Sequence, residues 1–243
     1  SFRKEFCAYY LNEAEKWEKE VVIVRKQDDL PLNFTVDDLE KSRKNTLDEN
    51  TWMTDETVSN GSWCYTECLQ IKDAADVLHV LIDIVSKNGV LLLNISPKSD
   101  GSIPENQKDV LLKIGAWLDK YGEAIYESRP WYTYGEGPTK EPEGHFSNHE
   151  EFLKIKYSWK DVRYTLRDKF VYASLLGWPE TDSFTFKAFA ETERESDMEI
   201  KSVELLGHKG EVTWDMNEEG LIVNLPESAP DNMAVVFRIE IKK

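Results

Sequence analysis

Residues 72–121, KDAADVLHVLIDIVSKNGVLLLNISPKSDGSIPENQKDVLLKIGAWLDKY, read as a helix, a strand and a second helix joined by short turns. Ala75, Leu78, Ile82 and Val85 recur at helical spacing, and Asn88-Gly89 supplies a stop. VLLLNI is then a continuous apolar run of strand length, the pattern of a strand covered on both faces of its sheet. Asp100-Gly101 reads as a turn, and Ser102 with Glu105 has the spacing of a capping box around Pro104. The helix they begin continues through Val110, Ile114, Trp117, Leu118 and Tyr121. Helix, strand, helix with short links is the rhythm of a parallel α/β layer.

The same rhythm extends upstream. Phe2, Phe6, Tyr9, Tyr10, Ala14 and Trp17 recur at helical spacing, VVIVR (21–25) reads as a buried strand, and FTVDDLE (34–40) as a short extended segment. The first residues look like an amphipathic helix without a leader or a cap. Downstream the rhythm changes. Residues 129–150, RPWYTYGEGPTKEPEGHFSNHE, hold three of the nine prolines and no periodicity, so they read as a linker. Seven short alternating segments follow, from VRYTLRD to AVVFRIEIK, which predict a small antiparallel β-sandwich. The expected fold is therefore α/β plus all-β: an α/β unit over 1–128, a linker over 129–150 and a β-sandwich over 151–243.

Composition narrows the function. Thirty basic against 46 acidic residues leave a net charge of −16, the wrong sign for a phosphate-binding surface, so nucleic acid is not an expected partner. No run of about 18 apolar residues predicts a membrane span. Cys7, Cys64 and Cys68 make no closed disulfide framework and a poor zinc pattern, and read as free thiols, with a Cys64–Cys68 bridge as the lesser alternative. Asn33, Asn60 and Asn94 match the glycosylation sequon, although Asn94 closes a strand. His79, His145, His149 and His208 are scattered, and no Gly-rich phosphate loop or Gly-x-Ser-x-Gly elbow is present.

Carboxylates and aromatics remain. Glu40 ends an extended segment, where acids of α/β barrels line the active site, and shielding by Trp52 and Trp63 would raise its pKa for general-acid work. The plain alternative is a surface pair with Arg43 or Lys44. Asp37, Asp38, Asp55 and Glu56 are further candidates. TWMTDETVSNGSWCY (51–65) sets Trp52, Trp63 and Tyr65 beside two of these acids; such rings stack on sugars, but more often they fill cores.

Beyond Val90 the residues become specific. Leu92 to Pro97, Asp100-Gly101, Ile114 to Leu118, Gly122 to Tyr126 and Arg129 to Trp131 together resemble the end of the catalytic barrel in α-L-fucosidases of glycoside hydrolase family 29. That family's pattern runs from Leu-Leu-Asn-Ile/Val-(Gly/Ser)-Pro through Asp-Gly and Ile-Gly-x-Trp-Leu to Gly-Glu-Ala-Ile-Tyr and Arg/Lys-Pro-Trp. Trp52 and Ser62-Trp63-Cys64-Tyr65 also match, with Cys64 where the family has glycine. The resemblance spans essentially the whole chain, including LLGHKGEVTW and GLIVNLP.

It implies the C-terminal portion of a (β/α)8-like catalytic barrel followed by a β-sandwich. The implied activity is removal of terminal α-L-fucose from glycans by retaining double displacement, with no metal or cofactor. The family's nucleophile lies in a Trp-x-Asp strand that has no counterpart here, so the chain alone is expected to be inactive and to need the N-terminal half. By the same comparison Glu40 matches the acid/base, with Glu56 and Asp55 in reserve. Lys26, with Arg25 adjacent, matches a basic residue that contacts fucose or the nucleophile. Trp63 matches the ring that walls the fucose methyl group, and Trp52 is a second aromatic of the site. The family implies a periplasmic or secreted enzyme. A non-catalytic carbohydrate-binding fragment and a different exo-glycosidase on the same architecture are the alternatives.

Overall fold

A computed structural model describes residues 1–142, 149–190 and 198–242. Its first part runs α1 (Phe2–Lys16), β1 (Val24–Lys26), β2 (Val36–Asp38), β3 (Trp52–Thr57), α2 (Ala74–Ser86), β4 (Gly89–Asn94) and α3 (Glu105–Tyr121). The remainder is β5 (Arg129–Glu136), α4 (His149–Phe152), β6 (Val162–Arg167), β7 (Phe170–Leu175), β8 (Ser183–Phe186), β9 (Glu199–Leu205), β10 (Trp214–Asn217), β11 (Gly220–Asn224) and β12 (Val235–Lys242).

Strands β1 to β4 form one sheet in sequence order, with every pairing parallel. It is an open sheet of four strands, and the described strands do not close it into a barrel. Helix α2 ends where Asn88 takes a left-handed φ of 69°, which asparagine tolerates. Gly89 then starts β4 because a Cβ there would lie 2.6 Å from both Ile84 and the Trp52 ring. Helix α2 is apolar on two sides, as a helix between two layers must be. Ile84 packs with Leu39 and Trp52 on the parallel sheet, while Val77, Leu78 and Ile82 join Trp117 and Tyr121 of α3 in a second core.

That second core also contains Tyr172 and Val236, so the helices are covered on their far side by the C-terminal strands. The indole of Trp117 donates to the Ala234 carbonyl at 2.9 Å, fixing the contact. The C-terminal strands form a five-stranded sheet, β5-β6-β7-β12-β9, and a three-stranded one, β10-β11-β8, with all pairings antiparallel. Tyr164, Ala173 and Phe237 of the larger sheet meet Phe186, Leu221 and Val223 of the smaller in a core of their own. The seven expected strands are all present.

Five expectations need correction. Residues 129–136 are not linker but strand β5, at the edge of the five-stranded sheet, with Trp131 in its core; proline and glycine hid the alternation. In VVIVR only Val24 and Arg25 belong to a strand, and Val22 is 64% exposed. β4 is covered on one face only: Val90 and Leu92 are 50% and 55% exposed. No capping box forms, because the Ser102 hydroxyl and backbone N–H turn instead to Asp100 and α3 begins after Pro104. Helix α1 buries only Cys7 and Ala14, leaving Phe2, Phe6, Tyr9 and Trp17 exposed.

Candidate active site

In a parallel sheet the residues opposite one another share a face, and successive residues alternate between faces. The register aligns Lys26 with Asp38 and Val24 with Val36, then Asp38 with Met53, and Asp55 with Leu92. Lys26, Asp38 and Asp55 therefore stand on the face away from α2, toward the carboxyl ends of the strands, where parallel α/β sheets place their ligands. Val24, Val90 and Leu92 continue that face as exposed apolar surface.

Lys26 is the centre of the cluster. Its Nζ lies 3.0 Å from Glu40 Oε2, 3.1 Å from Asp38 Oδ2 and 3.3 Å from Asp55 Oδ2. Burial works against the ammonium, but hydrogen bonds to Glu40 and Asp38 and the charges of Asp38 and Asp55 outweigh it and push its pKa up. The group that three carboxylates surround is thus a fixed cation of the protein. Among the described residues no group of three or more His, Cys, Asp and Glu is arranged to hold a metal ion.

The three carboxylates are not equivalent. Asp38 Oδ1 accepts the backbone N–H groups of Glu40 at 3.3 Å and Asp55 at 3.2 Å, so this side chain shapes the turn after β2. Asp55 is pushed up by burial and by the neighbouring Asp38, against the pull of Lys26, and its buried Oδ1 has no hydrogen-bond partner. Glu40, with 30% of its side chain exposed, is the most accessible of the three. It sits with Lys41 in a left-handed pair, φ 34° and 50°, a conformation that costs on the order of 1–3 kcal/mol per residue and concentrates at functional sites. Lys41 runs beneath the Trp63 ring, 4.4 Å from its centroid, and donates to the Gly61 carbonyl.

The Trp63 loop is tied down from behind. Its carbonyl accepts from Asn94 Nδ2 at 3.0 Å and Ser96 Oγ at 3.1 Å, and the Gln107 amide of α3 holds both backbone groups of Ser96. The LNISP run thus supports the aromatic loop. Trp63 is half-buried and Tyr65 exposed. Cys64 adopts no positive φ, so the absence of glycine strains nothing there. All three cysteines are free.

Three expected site residues lie elsewhere. Arg25 points to the opposite face from Lys26, where Nε bonds Asp37 at 2.9 Å and a second nitrogen bonds the Leu30 carbonyl. Glu56 alternates away from Asp55 to the helix side, 6% exposed and paired with Lys72 at 3.0 Å. Trp52, 1% exposed, fills the core and donates to the Lys87 carbonyl at 2.9 Å, with no ring face left for a sugar. Asp38, one of the further candidates, and Lys41 complete the cluster instead. Lys41 alone was not expected, since a buried lysine beneath a ring has no signal in the sequence. His79 is buried against the Met233 carbonyl and Tyr157, as a packed histidine, while His145 lies outside the described residues.

Comparisons with known proteins agree on one family. The family model described as Alpha-L-fucosidase matches residues 2–123, and the one described as Alpha-L-fucosidase C-terminal domain matches residues 157–240. Tissue alpha-L-fucosidase of Rattus norvegicus is 29% identical over 200 residues, covering 81% of this chain and 38% of that protein. Plasma alpha-L-fucosidase of the same species is 31% identical over 192 residues, covering 75% and 36%. The chain therefore spans well under half the length of these relatives. The solved Thermotoga maritima alpha-fucosidase in complex with fucose superposes with a TM-score of 0.70 at 22% identity, covering 97% of this chain and 47% of that one. A second solved structure, described as an alpha-L-fucosidase, gives 0.74 at 22%, covering 98% and 48%.

Proposed function

This chain belongs to the alpha-L-fucosidase family, and on that premise we propose that it supplies the acid/base half of a retaining α-L-fucosidase site. The observation that carries the reading is the cluster at the carboxyl ends of three adjacent parallel strands, with Lys26 Nζ within 3.3 Å of Asp38, Glu40 and Asp55. In this reading the parallel sheet is the later part of a (β/α)8-like barrel, and its exposed face is the barrel interior. The nucleophile comes from the part of the enzyme outside this chain.

Glu40 is the acid/base. It is the reachable carboxyl, its strained turn aims it at the cluster, and it stands next to a lysine and a tryptophan that form one wall. Protonating the glycosidic oxygen lets the nucleophile displace the aglycon; the resulting carboxylate then deprotonates the water that hydrolyses the fucosyl-enzyme. Lys26 fixes the carboxylates and holds positive charge beside the developing anion. Trp63 offers its free face to the sugar's methyl side. The substrate class is a terminally fucosylated glycan, and the solved relative with fucose bound supports it. A second reading assigns the proton to Asp55, whose raised pKa suits an acid, with Glu40 as a binding group.

The test uses the chain together with the rest of its enzyme and an aryl α-L-fucoside. Glu40→Gln is expected to lose hydrolysis of substrates with poor leaving groups and to regain turnover of an activated substrate when azide is added. Full activity of Glu40→Gln on a poor leaving group would move the acid/base assignment to Asp55.

A further inference from the structure

Five charged side chains are buried together behind the site. Asp83 accepts from Lys87 Nζ at 2.8 Å and Arg163 Nε at 2.5 Å, and Glu141 accepts from Arg43 Nε at 2.8 Å. Glu141 also takes the Lys87 ammonium and the Tyr157 hydroxyl. None of the five is more than 4% exposed. Three cations against two carboxylates, all desolvated, are a poor way to gain stability, since apolar residues of the same size often do as well or better.

The position of Arg43 suggests their use. It stands three residues beyond Glu40, just past the left-handed Glu40–Lys41 pair. A strained turn persists only where its surroundings leave no alternative. On the site side, Lys41 beneath Trp63 and the Ser42 hydroxyl on the Leu39 carbonyl at 2.6 Å hold it. On the far side the anchor is Arg43, gripped by Glu141 and lying over the Phe152 ring at 5.0 Å. Glu141 and Phe152 both come from beyond β5, outside the parallel layer.

We propose that Glu141 is a positioning residue for Glu40: through Arg43 it holds the left-handed turn that aims the carboxyl at the cluster. The C-terminal part of the chain would then tune the chemistry as well as cover α2 and α3. This rests on the reading of Glu40 as acid/base.

Glu141→Gln in the complete enzyme keeps the shape and removes the charge. It is expected to lower kcat on the order of 10- to 100-fold for a fucoside with a poor leaving group, with KM little changed, since a misplaced acid costs about that much. With a dinitrophenyl leaving group, which needs no proton, the loss should be under about threefold. Equal loss on both substrates, or none on either, would overturn the proposal. Should the variant fold poorly, Glu141→Gln with Lys87→Met removes one charge of each sign and still takes the Glu141 carboxylate from Arg43, leaving it only the longer 3.9 Å contact with Asp83, so the leaving-group split should remain. A crystal structure of the variant gives an answer that does not depend on activity. Loss of the 3.0 Å Glu40–Lys26 contact and of the positive φ at Glu40 is expected, and their retention would refute the positioning role. If the unsubstituted enzyme cleaves no α-L-fucoside while the turn still relaxes, the functional reading fails and the positioning survives.

Discussion

The parallel sheet and the five-stranded antiparallel sheet are treated differently on their second faces. Both turn one face to the α2–α3 layer, and both build that contact from large side chains: Trp52 and Ile84 on one side, Tyr172, Val236 and Trp117 on the other. The second face of the antiparallel sheet is closed by β8, β10 and β11, so Val162, Tyr164, Val235 and Phe237 are fully buried. The second face of the parallel sheet carries Val24, Val90 and Leu92 at 42%, 50% and 55% exposure, beside Lys26 and its three carboxylates. One sheet is finished as a core. The other presents an apolar floor with a charged cluster at one end, uncovered by the described residues.

If the difference is real, cutting between the two sheets should be ruinous for one side. Residues 1–128 alone expose Trp117, Tyr121, Leu78 and Ile82 in addition to the open face, and are expected to show no cooperative unfolding by circular dichroism in urea. A sharp transition would mean the helices do not need the antiparallel sheet. The other side should fold, and better as 129–243 than as 151–243, because the shorter piece lacks β5 and the buried Trp131. Next in size is a pair of substitutions in the whole chain. Trp117→Ala is expected to cost about 3–5 kcal/mol by denaturant titration, whereas Leu92→Thr on the open face should stay within about 0.5 kcal/mol. Similar costs at the two positions would erase the distinction between the faces.

Acid should act on the closed layer first. Burial would raise the Asp83 carboxyl, but Lys87, then Arg163 and Arg43, outweigh it and hold its pKa well below the ordinary carboxylate range. Its folded value lies below the unfolded one, so its contribution is complete above the unfolded value of about 3.9 and fades as the pH falls from there toward the folded value. The urea midpoint of Asp83→Asn should therefore change less than that of the parent between about pH 5 and pH 3. An equal change in both would place the acid sensitivity elsewhere.

The closed regions were the legible ones. Helical spacing in 74–86 and 105–121 and strict alternation from Val162 onward report burial, because a covered face must be apolar. The same rule misled at VLLLNI and VVIVR: apolar residues there mark a face without saying whether this chain covers it. β5 was missed because Pro130 and Gly135 occupy an edge strand, where a missing N–H or side chain is tolerated. Of the candidate site, Lys26, Glu40, Asp55 and Trp63 were named from pattern and resemblance together, and the structure brings the first three into one cluster. Glu56 and Arg25 were not separable from their neighbours until the register showed which side chains share a face. The buried ion group has no sequence signature as a whole: Asp83 and Lys87 are four apart on one helix, but Arg43, Glu141 and Arg163 join Asp83 from 40, 58 and 80 positions away and look like surface charges.

The smallest expected effects separate the two tryptophans of the 51–65 segment, and they bear on the same division of faces. Trp52 belongs to the helix side: it fills the space that Gly89 leaves and bonds the Lys87 carbonyl. Trp52→Phe should cost about 1–3 kcal/mol of stability through a partial void and one lost hydrogen bond. It should leave the kcat/KM of the complete enzyme unchanged. Trp63 stands on the open side over Lys41, where a cation–π contact is worth about 0.5–1 kcal/mol. Trp63→Ala should therefore barely move the urea midpoint and lower kcat/KM for an α-L-fucoside about tenfold, the equivalent of ~1.4 kcal/mol. If the two swapped effects, with Trp52→Phe impairing turnover and Trp63→Ala only stability, the substrate would have to approach from the helix side. The open face would then be a packing surface rather than the floor of a sugar site.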